Sequence, residues 1–244
     1  AEEVLGGAVE VARRAPHRDD IGAITDWLGR ELDRLGVDVR LKTPVDRALV
    51  DELGPDVVVV ATGAVESRAG RQVARGADPV PGADRPHVWT AGEAHRGDLP
   101  EVGTAVVLDE DGRYAAVGAA ERLAVAGLSV AVVSRFSEVA SRLAATQEQG
   151  PAVARLAALG VVFLGHTVLD DIDEDVVTVR SLADGQSRTF DADLVVLAAG
   201  SEPDGALAAA LEGWPGEQVV VGDARAPRSI GAAIAEGRRA GMQL

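Results

Sequence analysis

Two runs of apolar residues place the strongest limit on the fold of this chain. One reads DVVVVATGA at 56–64 and the other reads LVVLAAG at 194–200. Both are apolar at successive positions, which is typical of parallel strands buried on both faces, whereas half-exposed strands alternate. A third segment, 106–133, follows the order strand, turn, helix, strand. The chain is therefore predicted to have an α/β fold with a parallel sheet.

The pattern around these strands occurs twice. Each time a helix ends in Leu-Gly, a valine-rich strand follows, and a later valine-rich strand ends in Ala-Thr-Gly or Ala-Ala-Gly. This repetition predicts a two-lobed nucleotide-binding protein in which the second lobe is inserted into the first. We expect an outer lobe at 1–103 and 191–244, and an inserted lobe at 104–190.

Local signals predict further elements. Gly22–Leu35 has apolar residues at helical spacing and is stopped by Gly36, and 37–41 (VDVRL) alternates as a half-buried strand does. The segment 167–193 has the pattern of an antiparallel meander with two turns. The chain closes at 219–241 with a strand, a Gly-Asp turn and a helix.

Composition and charge exclude several classes of function. The 244 residues carry a formal net charge of −15, which disfavours nucleic-acid binding because a polyanion requires a basic surface. There is no cysteine, so the chain holds no disulfide, thiolate nucleophile or cysteine-bound cluster. No apolar run approaches the roughly 20 residues of a membrane span, and the acidic start is unlike a signal peptide. We expect a cytoplasmic protein whose charge serves solubility or attracts a basic partner.

Candidate binding residues follow two of the predicted strands. Ala61, Thr62 and Gly63 come at a carboxyl end, where open parallel sheets bind ligands, and glycine lets a phosphate approach the backbone. Gly222 and Asp223 precede the helix SIGAAIAEG, whose N-terminus attracts an anion. The Asp223 carboxylate suits a ribose or ribityl hydroxyl. The structural alternatives are an ordinary turn at 61–63 and a helix cap at Asp223.

No catalytic residue and no metal site are predicted. The histidines lack metal-ligand spacing, and we expect them in loops or at the surface: His17, His87, His95 and His166. Tyr114 is interpreted as a packing residue or, alternatively, as part of a surface used for electron transfer.

Taken in order, these segments resemble the carboxyl-terminal region of the trimethylamine dehydrogenase and 2,4-dienoyl-CoA reductase family. The matching stretches cover nearly the whole chain: LGGAVEVARRAPHRDDIGAITDWLGRELDRLGVDVRL, DVVVVATGA, PVPGAD, DEDGRY with AAERLAVAGLSVAVVS, FDADLVVLAAG and VVVGDARAPRSIGAAIAEGRRAG. The resemblance implies a two-lobed FAD/NAD(P)-binding, Rossmann-like fold of the glutathione-reductase kind.

The same resemblance implies parts that this sequence does not contain. In that family the outer lobe opens with a strand, a Gly-x-Gly-x-x-Gly loop and a second strand ending in a ribose-binding acid, whereas this chain starts after that point. The old-yellow-enzyme-like barrel, with its flavin mononucleotide (FMN) and 4Fe-4S cluster, is absent as well. We therefore expect a fragment, or a subunit whose upstream barrel lies in another chain. Its outer lobe would lack the first βαβ unit, which leaves a sheet edge uncovered.

The resemblance also indicates which residues lie nearest to a bound ADP or FAD: Gly6, Gly7, Val45, Ala61, Thr62, Gly63, Gly222 and Asp223. Val45 follows RLKTP, where the strand of the family passes the adenine. A buried strand residue is the alternative for Val45.

An acidic turn departs from the reductase branch of the family, in which the inserted lobe carries a glycine fingerprint and binds NADPH. Here Asp109, Glu110 and Asp111 stand in its place, and the nearby glycines, Gly112 and Gly118, do not have the Gly-x-Gly-x-x-Gly spacing. Each close pair of like charges costs on the order of 1 kcal/mol even in water. The inserted lobe is therefore expected to have lost dinucleotide binding, as in the amine dehydrogenase branch. The turn is then a solvated acidic turn or a docking site for an electron acceptor.

These features predict the nucleotide-binding region of a flavin-dependent, iron–sulfur oxidoreductase of the amine dehydrogenase type. It would bind ADP or FAD and pass electrons to an acceptor such as an electron-transfer flavoprotein, and we also expect a homo-oligomer. Two alternatives stay open. One is an NAD(P)H-dependent 2,4-dienoyl-CoA (enoyl) reductase, and the other is a non-catalytic ADP-binding or docking subunit.

Overall fold

The computed structural model describes residues 2–76, 78–99 and 103–244. Its helices are α1 (Ala8–Ala12), α2 (Ala23–Arg34), α3 (Arg47–Leu53), α4 (Ala91–Arg96), α5 (Tyr114–Val125), α6 (Gln149–Ala158), α7 (Ala206–Ala210) and α8 (Ile230–Gly241). Its strands are β1 (Val57–Val60), β2 (Ala64–Glu66), β3 (Val88–Thr90), β4 (Thr104–Asp109), β5 (Ser129–Ser134), β6 (Val162–Leu164), β7 (Thr167–Ile172), β8 (Val176–Ser181), β9 (Ser187–Asp191), β10 (Leu194–Ala198), β11 (Ser201–Pro203) and β12 (Glu217–Val220). Short 3-10 helices cover Asp19–Gly22, Ser141–Thr146 and Gly222–Ala224.

Contacts between residues group the chain into two compact units. The first unit comprises Ala1–Glu10, Ala23–Val65 and Ser201–Leu244, and the second unit comprises Val11–Gly22 and Glu66–Gly200. Both contain parallel strands and helices, so the α/β fold class predicted from the sequence is confirmed.

The first unit is built on two adjacent parallel strands. β1 pairs with β12 in register, from Val57 opposite Glu217 to Val60 opposite Val220. Val60 is buried in a small cluster with Val50 and Leu211, whereas the neighbouring Val59 is 40% exposed. Successive side chains of a strand point to opposite faces. Among the described residues, β1 is therefore buried on one face only. The prediction that it is buried on both faces was wrong.

Two predictions for the first unit have different outcomes. The amphipathic helix is confirmed as α2, but none of its residues is buried, and Trp27 is 53% exposed. The strand predicted at 37–41 was wrong, because this segment is exposed and has no strand assignment. An extended segment becomes a strand when its backbone pairs with a neighbour, and no such pairing is seen among the described residues.

The second unit contains a parallel sheet with the order β3-β10-β4-β5-β6. Along its central strand β4, Ala105 and Val107 pack with residues of α5 and α6, whereas Val106 and Leu108 pack with the antiparallel meander β7-β8-β9. These four side chains are at most 2% exposed. Burial on both faces explains why β4 is apolar from Ala105 to Leu108, and the predicted βαβ segment and meander are confirmed.

The two units divide the chain at positions other than those expected from the sequence. Strands β3 and β10, which the sequence pattern places in the outer lobe, pair in the sheet of the second unit. Segment 11–22 also groups with the second unit. The assignment of a nucleotide to the outer lobe remains a prediction. Among the described residues, none of the helices combines the length and apolar character that crossing a membrane would require.

Candidate functional site

The carboxyl ends of β1 and β12 bring two of the predicted loops to one edge of the first unit. The backbone N–H of Val221 donates to the carbonyl of Val60 at 3.0 Å, which continues the pairing one residue past the strands. The loop at 61–63 and the turn at 222–223 therefore start side by side. This is the edge at which open parallel sheets bind ligands.

The loop at 61–63 leaves its backbone open at Gly63. Gly63 has a φ of +83°, and a Cβ added there would meet no atom within 4 Å. The Thr62 hydroxyl donates to the carbonyl of Asp204 at 2.6 Å, and the N–H of Asp204 donates to the carbonyl of Gly63 at 3.0 Å. These two hydrogen bonds fix the loop, so the Thr62 hydroxyl is a positioning group that can still accept a hydrogen bond.

The turn at 222–223 is held by a carboxylate that the sequence analysis did not single out. The N–H of Gly222 donates to Glu236 Oε2 at 2.8 Å, and the guanidinium of Arg228 donates to Glu236 Oε1. Hydrogen bonding to Arg228, followed by the bond from Gly222, lowers the pKa of Glu236. Because this carboxylate already accepts from the Gly222 amide, that amide is not available to a phosphate.

The Asp223 side chain also has a local partner. Its Oδ1 accepts from the backbone N–H of Arg228 at 3.1 Å. The cap of α8 is Ser229, whose hydroxyl oxygen accepts from Ala232 N at 3.3 Å, so the helix-cap alternative for Asp223 was wrong. Asp223 is 3-10 helical and half-buried at the strand edge.

Val45 lines an open cavity of about 320 Å³ in the first unit. The cavity is walled by Leu49 and Leu53 on α3 and by the polar residues Asp38, Arg40 and Thr43. Val45 itself is 48% exposed, so the alternative of a buried strand residue was wrong. Three of the six lining residues are apolar, and the volume is at the lower end for ligand pockets.

Gly6 and Gly7 lie just before α1. Both have positive φ, +115° and +51°. A Cβ on Gly6 would lie 2.8 Å from Glu10 Cγ, whereas one on Gly7 would meet no atom within 4 Å. Gly6 therefore serves close packing, and Gly7 leaves its backbone open. All eight predicted binding residues belong to the first unit.

The acidic turn lies in the second unit, at the carboxyl end of β4. Asp109 is fully buried and Glu110 is 8% exposed. The Asp109 Oδ1 accepts from Gly112 N at 2.7 Å, and Asp111 Oδ1 accepts from Arg113 N at 2.9 Å. Burial, with smaller contributions from Asp111 and Glu110, raises the pKa of Asp109 to about 7. The alternative of a solvated turn was therefore wrong, and two of the three carboxylates are out of reach of a docking protein.

Glu110 has a charged partner that the sequence did not suggest. Its Oε1 accepts from Arg135 Nε at 2.8 Å, just past the end of β5, and from Val73 N at 2.9 Å. Arg135 thus offsets the charge of Glu110. Neighbouring parallel strands bring β4 and β5 together, and this pairing is the signal from which the contact could have been found.

One face of α5, formed by Tyr114, Gly118 and Glu121, packs against segment 11–22. A Cβ on Gly118 would lie 3.0 Å from the Cβ of Ala15. The Tyr114 hydroxyl donates to the carbonyl of Pro16 at 3.0 Å. Gly118 thus makes room for protein rather than for a ligand, and Tyr114 is a packing residue, which leaves no support for its alternative as an electron-transfer surface.

The histidines show no sign of metal binding. Among residues 2–76, 78–99 and 103–244, no cluster of three or more His, Cys, Asp or Glu side chains could hold a metal ion. The expectation that all histidines lie in loops or at the surface was wrong for His95, which is buried in α4. Burial, together with the nearby Arg122, lowers the pKa of His95 to about 4.

Two residues of the strand edge were missed by the sequence analysis, Asp204 and Glu236. Asp204 acts through its backbone, which carries no side-chain signal. Glu236 is an acid inside a predicted helix, and periodicity alone does not show that it turns toward Gly222.

Comparisons with known proteins give the relationships of the chain, although no protein-family model matches it. It is 49% identical over 63 residues to N,N-dimethylglycine/sarcosine dehydrogenase of Chromohalobacter salexigens, which is 26% of this chain and 9% of that protein. It is 28% identical to the NADH oxidase of Thermoanaerobacter brockii, over 98% of this chain and 36% of that protein. The structure matches 6-hydroxypseudooxynicotine amine oxidase from Pseudomonas geniculata N1 with a TM-score of 0.94 and 31% identity.

The chain covers far less than two thirds of each relative. The structural match spans 100% of this chain but 37% of the amine oxidase. These similarities confirm the resemblance found in the sequence. The chain is related to the carboxyl-terminal FAD/NAD-binding region of flavoprotein oxidoreductases, a group that includes amine dehydrogenases and NADH oxidase.

Proposed function

We propose that this chain is the nucleotide-binding region of an amine dehydrogenase-like flavoenzyme and that its first unit holds ADP or FAD. The observation that carries this proposal is the pairing of β1 with β12, which aligns the open backbone at Gly63 with the turn at Gly222 and Asp223. The similarity to a dimethylglycine/sarcosine dehydrogenase and to an amine oxidase supports the choice of amine substrates.

Each residue of the edge then has a defined role. Gly63 lets the sugar–phosphate part of the nucleotide approach the backbone, because no side chain stands in the way. The Asp223 carboxylate accepts from a ribose or ribityl hydroxyl, and Thr62 and Glu236 position the two loops through their hydrogen bonds. The cavity at Val45 receives the adenine.

The chemistry itself would occur outside this chain, in the part of the relatives' length that it does not span. An FMN and a 4Fe-4S cluster there would supply amine oxidation and one-electron transfer. Electrons would leave to an external acceptor such as an electron-transfer flavoprotein. The nucleotide of the first unit is then a scaffold for this assembly, and a homo-oligomer is consistent with such a role.

A second candidate is an NAD(P)H-dependent reductase. The similarity to an NADH oxidase over 98% of the chain favours it. A reductase of this kind needs a dinucleotide site in the second unit, where Asp109 and Asp111 accept from the amides at 112 and 113.

The identity of the nucleotide gives the first test. The purified protein is denatured, and the supernatant is analysed by absorbance and mass spectrometry. Release of ADP or FAD in about one equivalent, with loss of that nucleotide in a Gly63→Val variant, supports the proposal. Release of NAD(P) alone, or of no nucleotide together with no ADP binding on titration, contradicts it. Rapid bleaching of flavin by NADPH under anaerobic conditions would favour the reductase instead.

A further inference from the structure

The acidic turn has the spacing of a dinucleotide fingerprint with its glycines replaced. A Gly-x-Gly-x-x-Gly loop begins directly after a buried parallel strand and leads into a helix. Counting from the end of β4, the three glycine positions are Asp109, Asp111 and Tyr114, and Tyr114 is the first residue of α5. The framework of a dinucleotide site is therefore present, with three other side chains at the glycine positions.

Two of these side chains occupy the amides that an anion would use. Backbone N–H groups just before a helix are the usual donors to a phosphate. Here Gly112 N donates to Asp109 Oδ1 at 2.7 Å, and Arg113 N donates to Asp111 Oδ1 at 2.9 Å. Each amide already has a carboxylate oxygen of the same chain at hydrogen-bond distance.

Asp109 occupies this position although the hydrogen-bonding capacity of its carboxyl group is only partly satisfied there. Its side chain is fully buried, and among the described residues its Oδ2 has no hydrogen-bond partner. Glu110 Oε2 and the hydroxyl of Ser141, which lies against Gly112, are buried without a partner as well. A buried carboxyl oxygen without a partner destabilises a protein, so stability does not explain this residue.

The third glycine position is occupied by Tyr114, whose side chain contacts segment 11–22. Tyr114 donates through its hydroxyl to the carbonyl of Pro16, and the guanidinium of Arg18 lies 3.7 Å from the centre of its ring. At this position a fingerprint glycine would allow close packing of helix and strand. Tyr114 instead fastens segment 11–22 to the start of α5.

We propose that the Asp109 carboxyl group takes the phosphate position at the start of α5 and that this residue is the specificity determinant that excludes dinucleotides from the second unit. Asp111 assists it at the next amide. The inference deepens the proposed function, which assigns the nucleotide to the first unit. It attributes the exclusion to occupancy of the donors and not to the acidity of the turn in general.

Three double variants separate the effect of occupied backbone amides from the effect of negative charge on NADH binding. D109G/D111G removes both carboxylates and frees the amides. D109N/D111N removes the charges but keeps an oxygen on each amide. E174Q/D175N, in the exposed turn between β7 and β8, makes the same change in charge elsewhere. Each protein is saturated with ADP and titrated with NADH by fluorescence and calorimetry, and thermal unfolding checks that it is folded.

We expect D109G/D111G to bind NADH at least about tenfold more tightly than the wild-type protein, the Asn variant and the control. NADH binding by the ADP-loaded wild-type protein that is within about tenfold of binding by D109G/D111G would overturn the proposal. Equal binding by the Asn and Gly variants would also overturn it, because charge would then suffice. Failure of a folded D109G/D111G protein to bind would do so too. If D109G/D111G does not fold, the D109N/D111N variant gives the answer. A gain of NADH binding by folded D109N/D111N overturns the proposal, and the lack of such a gain supports it.

Failure of the proposed function has a different signature. Absence of ADP binding in all four proteins, measured before NADH is added, would remove the nucleotide from the first unit. The NADH titrations of the Asp109 variants would still show whether occupied amides exclude the dinucleotide from the second unit.

Discussion

The two units place similar loops at the carboxyl end of a parallel strand, but they treat the backbone there in opposite ways. After β1, the hydrogen bond from Thr62 to Asp204 fixes the loop. No atom lies within 4 Å of a Cβ added at Gly63, so the backbone there is open. After β4, the loop is closed by its own carboxylates, and Asp109 is buried on the amide of Gly112. The fold offers the same edge in both units, and the side chains that follow the strand decide whether a ligand can use it.

The largest effect that distinguishes these loops is the pH dependence of stability. Burial raises the pKa of Asp109 from 3.8 to about 7, so between these values the folded protein holds a proton that the unfolded chain releases. The stability contributed by this group is therefore full below pH 4 and is lost as the pH rises through 7. Three pKa units correspond to on the order of 4 kcal/mol.

The Asp109→Asn variant removes this dependence. We expect it to exceed the wild-type protein in unfolding free energy by on the order of 2–4 kcal/mol at pH 8, with a much smaller difference at pH 4. Urea unfolding of both proteins at the two pH values measures the change. A difference that does not vary with pH would show that Asp109 titrates normally.

The next effect concerns the ion pair that supports the closed loop. In Arg135→Met the buried Glu110 loses the guanidinium at 2.8 Å, and we expect a loss of about 2 kcal/mol in unfolding free energy at pH 7. Arg188→Met on the exposed strand β9 is the control and should change stability by less than about 0.5 kcal/mol. Equal losses in both variants would mean that Arg135 does not stabilise the turn.

The open loop is tested by a pair of glycines with similar backbone strain. Gly63 and Gly54 have φ of +83° and +58°, and an added Cβ meets no atom within 4 Å at either position. Gly63→Ala and Gly54→Ala should therefore each lose about 1 kcal/mol of stability. Gly63→Ala should also weaken ADP binding by about tenfold, or about 1.4 kcal/mol, measured by calorimetry. If Gly54→Ala weakens ADP binding as much, strain and not contact is responsible.

The smallest effect compares neighbouring acids. Asp111 is half-buried and bonds one amide, so Asp111→Asn should change the unfolding free energy by about 0.5 kcal/mol or less at pH 8. A change as large as that of Asp109→Asn would mean that the whole turn, and not one buried carboxyl, carries the pH dependence.

The sequence was sufficient to predict the elements that depend on local pattern. Successive valines predicted β4 and β10, alternation predicted the meander, and the glycine at 36 marked the end of α2. The strand at 37–41 failed because pairing depends on a neighbour that local pattern does not show. Helix α4 escaped prediction although Thr90 and Glu93 form its capping box.

The sequence could predict those residues of the candidate site that directly follow a buried strand. The resemblance assigned both 61–63 and 222–223 to one bound nucleotide, whereas the contacts of Glu236 and Arg135 come from residues brought close by the fold. Burial of Asp109 was not predictable, since an acid in a turn between a strand and a helix is ordinarily solvated. The outcome depends on the neighbouring strands: Asp109 pairs with Ala198 of β10, and the Ser134 hydroxyl at the end of β5 donates to its carbonyl, so the burial joins residues far apart in sequence.

A crystal structure of the protein grown with both ADP and NADH shows which of the two units holds a nucleotide. We expect density for an adenine nucleotide beside Gly63 and Asp223, with the Asp109 carboxylate still on the amide of Gly112. Density for NADH at the start of α5, with Asp109 displaced, would contradict this expectation.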